Sequence, residues 1–172
     1  LIHSEKKSKY FIGKVNIYNT YPQLARELLY EYMLLHCPDH DSLVVPKVPI
    51  TLSEESKKIA GVILTEKSAE ANYKALQKTI RHIGTTIPPM FNAYIGLTDT
   101  LRMFGTMIDE NFGGTYESAI MLTMDDLIES KRQRYIEPYV KFLKQKINEK
   151  RAARRAAKRI SWDQLARLRS HN

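Results

Sequence analysis

Cysteine is nearly absent from this chain: one residue, Cys37, in 172. That excludes an internal disulfide and fits a reducing compartment. No run of 18 uninterrupted apolar residues occurs, so no transmembrane helix is expected. No cationic segment precedes an apolar one near the start, so no signal peptide is visible. The seven glycines form neither a phosphate-binding loop nor a dinucleotide fingerprint, and no internal repeat is present. Negative charge is scarce at the end of the chain. From Lys131 onward three acids (Glu137, Glu149, Asp163) face 14 of the 27 Lys and Arg, so the last 42 residues carry +11 and residues 1–130 carry −3. A slightly acidic body is thus joined to a strongly cationic tail, which points to a polyanionic surface, either a membrane leaflet or nucleic acid. The chain opens on Leu1 rather than Met. It is expected to be a piece of a longer polypeptide, inactive by itself.

Tyr10–Tyr18 alternates apolar and polar residues through Val15 and Ile17 and reads as a strand. Thr20-Tyr21-Pro22-Gln23 has the spacing of a capping box with Pro in the first turn, opening a helix to about His36. Leu24, Leu28, Tyr32 and Leu35, with Ala25, Leu29 and Met33 beside them, give that helix an apolar arc wide enough for deep burial. Leu43–Pro49 reads as extended, because Pro46 and Pro49 push their predecessors out of the helical region. Helices follow from Ser53 to about Ile63, from Ser68 to Ile83 with Gly84 as the stop, and from Pro88-Pro89 through Leu97. Leu101–Ile108 and Tyr116–Thr123 read as strands flanking a turn-rich loop, a hairpin pattern. Thr123–Asp126 caps a last helical region that Pro138 restarts and that continues to Arg159. Strands and helices mixed in this order give an α/β or α+β class.

His36, Cys37, Asp39, His40 and Asp41 are all metal-ligand types, but no second Cys exists and the other histidines are scattered, so they read as a helix-end loop. Asp109-Glu110-Asn111-Phe112-Gly113 places a carboxylate, an amide and an aromatic ring between two apolar strands. It is either a turn in which Asp109 and Asn111 bond their own backbone or an acceptor-binding, acid/base position. In the tail, Ile136, Tyr139, Val140, Leu143 and Ile147 make an apolar stripe, and Trp162, Leu165 and Leu168 resume it. Lys144, Lys150, Arg151, Arg154, Arg155, Lys158 and Arg159 surround that stripe, and with Trp162 they would contact an anionic membrane, each charge adding about 1 kcal/mol. Nucleic acid would use the same charges through counterion release, although the body lacks the interleaved basic and aromatic residues that stack bases. A solvated terminal helix is the third reading.

Lys9–Ile17, Tyr21 with the Ala25–Tyr32 helix, Pro46-Lys47-Val48-Pro49, Ile87-Pro88-Pro89-Met90 with Ala93-Tyr94-Ile95, and Asp109-Glu110-Asn111-Phe112 occur in that order. In this the chain resembles the later part of the bacterial GNAT-type N-acyltransferases of ornithine and glycine lipid synthesis, often called hemolysin-like. The resemblance spans residues 9–135, leaving 136–172 as a basic amphipathic tail. It departs from the family in Phe11-Ile12-Gly13, where Leu-Phe-Gly is usual, and in the alanine-arginine tail. The resemblance implies a GNAT-like mixed sheet with flanking helices. It implies transfer of a fatty acyl group from acyl carrier protein, or acyl-CoA, to an amino acid's amine, with no bound cofactor or metal, at the cytoplasmic face of the membrane. It implies a donor-binding strand preceding Phe11–Ile17. On this resemblance Asp109 would act as a polar or acid/base group near the acceptor, with Asn111 and Phe112 shaping the site. Asn19 and Tyr21 would face the donor thioester, and Lys47 and Arg102 would contact the acidic carrier protein or the substrate carboxylate.

Overall fold

The computed structural model describes residues 8–169, with side chains as far as Ala157. The chain divides between Ile128 and Glu129 into two compact units. In the first, β1 (Tyr10–Ile17), β2 (Arg102–Asp109) and β3 (Thr115–Thr123) form an antiparallel sheet in the order β1-β3-β2. Tyr10 lies opposite Thr123 and Ile17 opposite Tyr116. Among the described residues β1 has no partner on its outer edge, where Phe11 and Ile12 are exposed.

Four helices accompany the sheet: α1 (Gln23–His36), α2 (Glu54–Ile63), α3 (Ala69–His82) and α4 (Pro89–Ile95). The central one is α1, which packs on α2, α3 and β2. Ala25, Leu28, Leu29, Tyr32 and Met33 are buried there against Val15 and Ile17 of β1, Ile120 and Leu122 of β3, and Leu76 and Ile80 of α3. Ser53 and Ser68 cap α2 and α3 by accepting the N–H of Ser56 and Ala71. Gly84, at φ +87°, ends the third helix in the left-handed conformation.

Three details depart from the expected local structure. Pro22 is itself the N-cap of α1, without a side-chain cap bond, and the Gln23 amide that would have closed a capping box donates instead to Glu27 at 2.8 Å. Leu35, expected on the inner face, projects from the last turn and is half exposed. Residues 43–49 join the sheet through no regular ladder, because Pro46 and Pro49 lack the N–H a ladder needs; only the next residue, Ile50, donates to Thr106 O on the edge of β2. There β2 shifts register between Met103 and Thr106. Gly105 permits this, because φ is +90° and a Cβ would stand 3.0 Å from Pro46 Cδ.

The second unit contains α5 (Glu129–Tyr135) and α6 (Glu137–Arg169). Both helices belong to this unit. Pro138, lacking an N–H, separates the two helices at the second position of α6. Ile136, Tyr139, Val140 and Leu143 are half buried, and Ile147 is exposed. At 33 residues α6 is about 50 Å long. No described helix is long and apolar enough to cross a membrane. The mixed α/β architecture, a small antiparallel sheet flanked by helices and followed by a long basic helix, agrees with the expected GNAT-like class.

Candidate functional site

The β2–β3 connection is a built turn. Asp109 ends β2 and caps a one-turn 3-10 helix, Glu110–Phe112, its carboxylate accepting the Asn111 N–H at 3.0 Å. Gly113 and Gly114 follow at φ +66° and +67°, and Thr115 Oγ1 donates to Phe112 O at 2.7 Å. Asn19, just beyond β1, donates through Nδ2 to Gly113 O at 2.7 Å. The Tyr18 and Phe112 rings lie 6.3 Å apart at the same end of the sheet. The structure therefore gathers Asn19, Asp109, Asn111 and Phe112. Tyr21 is packed partly against the core, and Lys47 is exposed on the 43–49 segment. Arg102 stands at the opposite end of β2, about 23 Å along the strand. Its guanidinium pairs with Asp39 at 3.3 Å and with Asp41.

The helix-end loop is used structurally. Asp39 and Asp41 serve Arg102, and His36 Nε2 lies 2.9 Å from Asn72 Nδ2. Burial lowers the His36 pKa and pushes the Cys37 thiol up to about 11, which holds the sulfur in its weakly nucleophilic thiol form. Among the described residues no group of three or more His, Cys, Asp and Glu converges as a metal site would require.

Sequence reasoning passed over the polar groups on α1. Glu27 is 1% exposed. Gln23 donates to one carboxylate oxygen, and both the N–H and the hydroxyl of Ser53 donate to the other. Burial alone would raise the Glu27 pKa, but these hydrogen bonds outweigh it and leave the group below its ordinary range. One turn on, Glu31 has no such donors, and burial holds its pKa above the ordinary range. Glu31, Lys57, Tyr30, Ile50, Met103 and Thr106 line a cavity of about 530 Å³ between α1, the edge of β2 and residues 49–52. Behind it Tyr30 donates to Tyr116 O at 3.4 Å, and the Thr106 and Ser118 hydroxyls share a buried 2.6 Å hydrogen bond.

Arg26 differs from both glutamates. It is 8% exposed, its guanidinium carbon lies 4.2 Å from the centre of the Tyr116 ring, and its Nε has no hydrogen-bond partner. It forms no ion pair among the described residues. A buried donor left unmade costs about 1–3 kcal/mol, more when charged. The available signal was the width of the apolar arc. A helix buried on that many sides leaves little solvent face for Arg26 and Glu27.

The chain is similar to proteins named glycine N(alpha)-acyltransferase. It is 37% identical over 133 residues to that of Phocaeicola vulgatus, covering 77% of this chain and 40% of the relative. It is 36% identical over 132 residues to that of Bacteroides thetaiotaomicron, covering 77% and 39%. The chain thus spans about two fifths of the length of these curated relatives. No protein-family profile and no solved structure matches it.

Proposed function

We propose that this chain is part of an N-acyltransferase that moves a fatty acyl group from acyl carrier protein to the α-amine of an amino acid, forming an aminolipid at the cytoplasmic face of a membrane. The observation that carries the reading is the 37% identity over 133 residues to a protein named for acylating glycine at that nitrogen. The outer edge of β1, without a partner among the described residues, supports it, because it leaves room for the donor-binding strand that the resemblance places before Phe11–Ile17. The chemistry is direct aminolysis. The free amine attacks the thioester carbonyl, backbone donors steady the oxyanion, and the intermediate collapses to amide and thiol. The attacking ammonium first gives up a proton. Asp109, at the end of β2 with one oxygen already fixed by the Asn111 N–H, is the residue assigned to receive it. The acidic carrier protein would be met by exposed cations such as Lys47, and the anionic bilayer by the basic face of α6, including Lys144, Lys150, Arg151, Arg154 and Arg155. Lys158, Arg159 and Trp162, assigned to the same contact, have side chains outside the described residues.

The test is incubation of the purified full-length protein with acyl carrier protein bearing a fatty acyl group and a panel of amino acids. An N-acyl amino acid identified by mass is the expected product; thioester consumption no faster than without protein contradicts the reading. Co-sedimentation separates the second reading, a nucleic-acid-binding protein. Retention on anionic liposomes with an apolar, salt-resistant component favours the membrane, whereas fully salt-sensitive binding to RNA alone favours nucleic acid.

A further inference from the structure

Arg26 is the one strongly buried cation of the first unit among the described residues, and the fold gives it no anion. Every other basic side chain there is at least partly exposed to water. Glu27, its neighbour in sequence, is saturated by Gln23 and Ser53 and makes no bond to it. The guanidinium rests on the face of Tyr116, a contact that fixes the plane of the fork, and its buried Nε–H has no acceptor. A largely buried guanidinium with no carboxylate partner among the described residues suits a planar anion that arrives from outside.

Tyr116 locates Arg26 in the fold. Tyr116 pairs with Ile108, the residue before Asp109, so Arg26 lies beside the end of the sheet that holds Asn19, Asp109 and Phe112. Tyr116 also walls a cavity of about 380 Å³ with Ile50, Thr51, Met107, Ile108 and Glu110. Glu110, the carboxylate of that wall, is not paired with Arg26. Arg26 is not among the residues lining this cavity, so Tyr116 is what links the two, and the space admits a small molecule rather than a carrier protein.

We infer that Arg26 is the carboxylate-binding residue for the amino-acid acceptor, stacked on Tyr116 to receive the two carboxylate oxygens while the amine stays free to attack. This rests on the acyltransferase reading and adds to it the group that selects amino acids over simple amines. It also reassigns the carboxylate role from Arg102, whose charge Asp39 and Asp41 already neutralise.

The experiment is steady-state kinetics of the full-length enzyme with a fixed acyl donor and two acceptors, glycine and glycinamide, which differ only in the carboxylate. Arg26→Met should raise the KM for glycine about 100-fold, leave the KM for the acyl donor within about threefold, and erase the preference for glycine over glycinamide. Arg26→Lys, which keeps the charge and loses the fork, should fall between. A purely structural arginine would weaken both acceptors equally, and that result overturns the inference, as does a folded Arg26→Met enzyme that keeps its preference. The wild-type enzyme supplies a readout free of any folding defect. Acetate should inhibit competitively against glycine and acetamide should not; equal inhibition, or none, overturns the assignment. A wild-type protein that acylates no amine at all overturns the acyltransferase reading itself, whereas a wild-type protein active on both acceptors without preference overturns only the role of Arg26.

Discussion

The two units of this chain spend their residues on opposite things. Residues 8–128 bury the middle of α1, from Ala25 to Met33 with only Glu31 partly open, whereas α6 keeps nearly all its described side chains in solvent and carries the positive charge. The contrast teaches where sequence changes will act: substitutions in the body act on folding and on the proposed site, and those in the tail on the contact with a polyanion proposed for it.

The sharpest break of that comparison is in the core. Leu28 is fully buried in α1, so Leu28→Ala should cost about 2–5 kcal/mol in chemical denaturation. Replacing Arg151, Arg154 and Arg155 together by Gln should leave stability within about 0.5 kcal/mol, yet weaken association with anionic liposomes by about 1 kcal/mol per charge. A destabilised triple variant would mean that the tail is part of the folded core after all. Between these lies Asp109→Ala in the full-length protein, which tests the proposed acyl transfer. If Asp109 accepts the proton, product formation should drop about 100-fold; if its carboxylate only caps the turn, the rate should hold while stability falls by about 0.5–2 kcal/mol.

The smallest effect compares two glutamates on one helix. The folded pKa of Glu27 is depressed, so its stabilising contribution is present above its unfolded pKa and lost as pH falls through the folded one. Glu31 has the opposite sign: its folded pKa is raised, its ionised form destabilises the fold, and protonation on acidification relieves that. Melting temperature followed from pH 7 to 3 should therefore fall less steeply for Glu27→Gln than for the wild type, from a lower start. Glu31→Gln should raise stability at neutral pH and leave the acid limb steep.

Much of the fold was legible because its signals are local. Ser53, Ser68 and Gly84 mark helix ends by backbone chemistry, and the Gly113-Gly114 pair supplies the two left-handed residues the hairpin needs. The strand order β1-β3-β2 was not legible, since no local feature tells β1 to pair with β3 across 99 to 113 residues. At the site, Asp109 and Asn111 could be placed in one turn from their spacing. The clamp from Asn19 to Gly113 and the ion pairs of Arg102 depend on tertiary closure. Leu35 and Glu27 fail together: helical periodicity gives the direction of the buried arc but not which neighbours cover its last turn, nor that a serine from another helix's cap will satisfy a carboxylate inside it.

The measurement closest to the central claim is mass spectrometry of lipid extracts from a host expressing the open reading frame that contains this chain. New lipids whose fragments release an amino-acid head group are the predicted result. An unchanged lipid profile, with the protein present and folded, would contradict the acyltransferase account and leave the basic helix to be explained by nucleic acid.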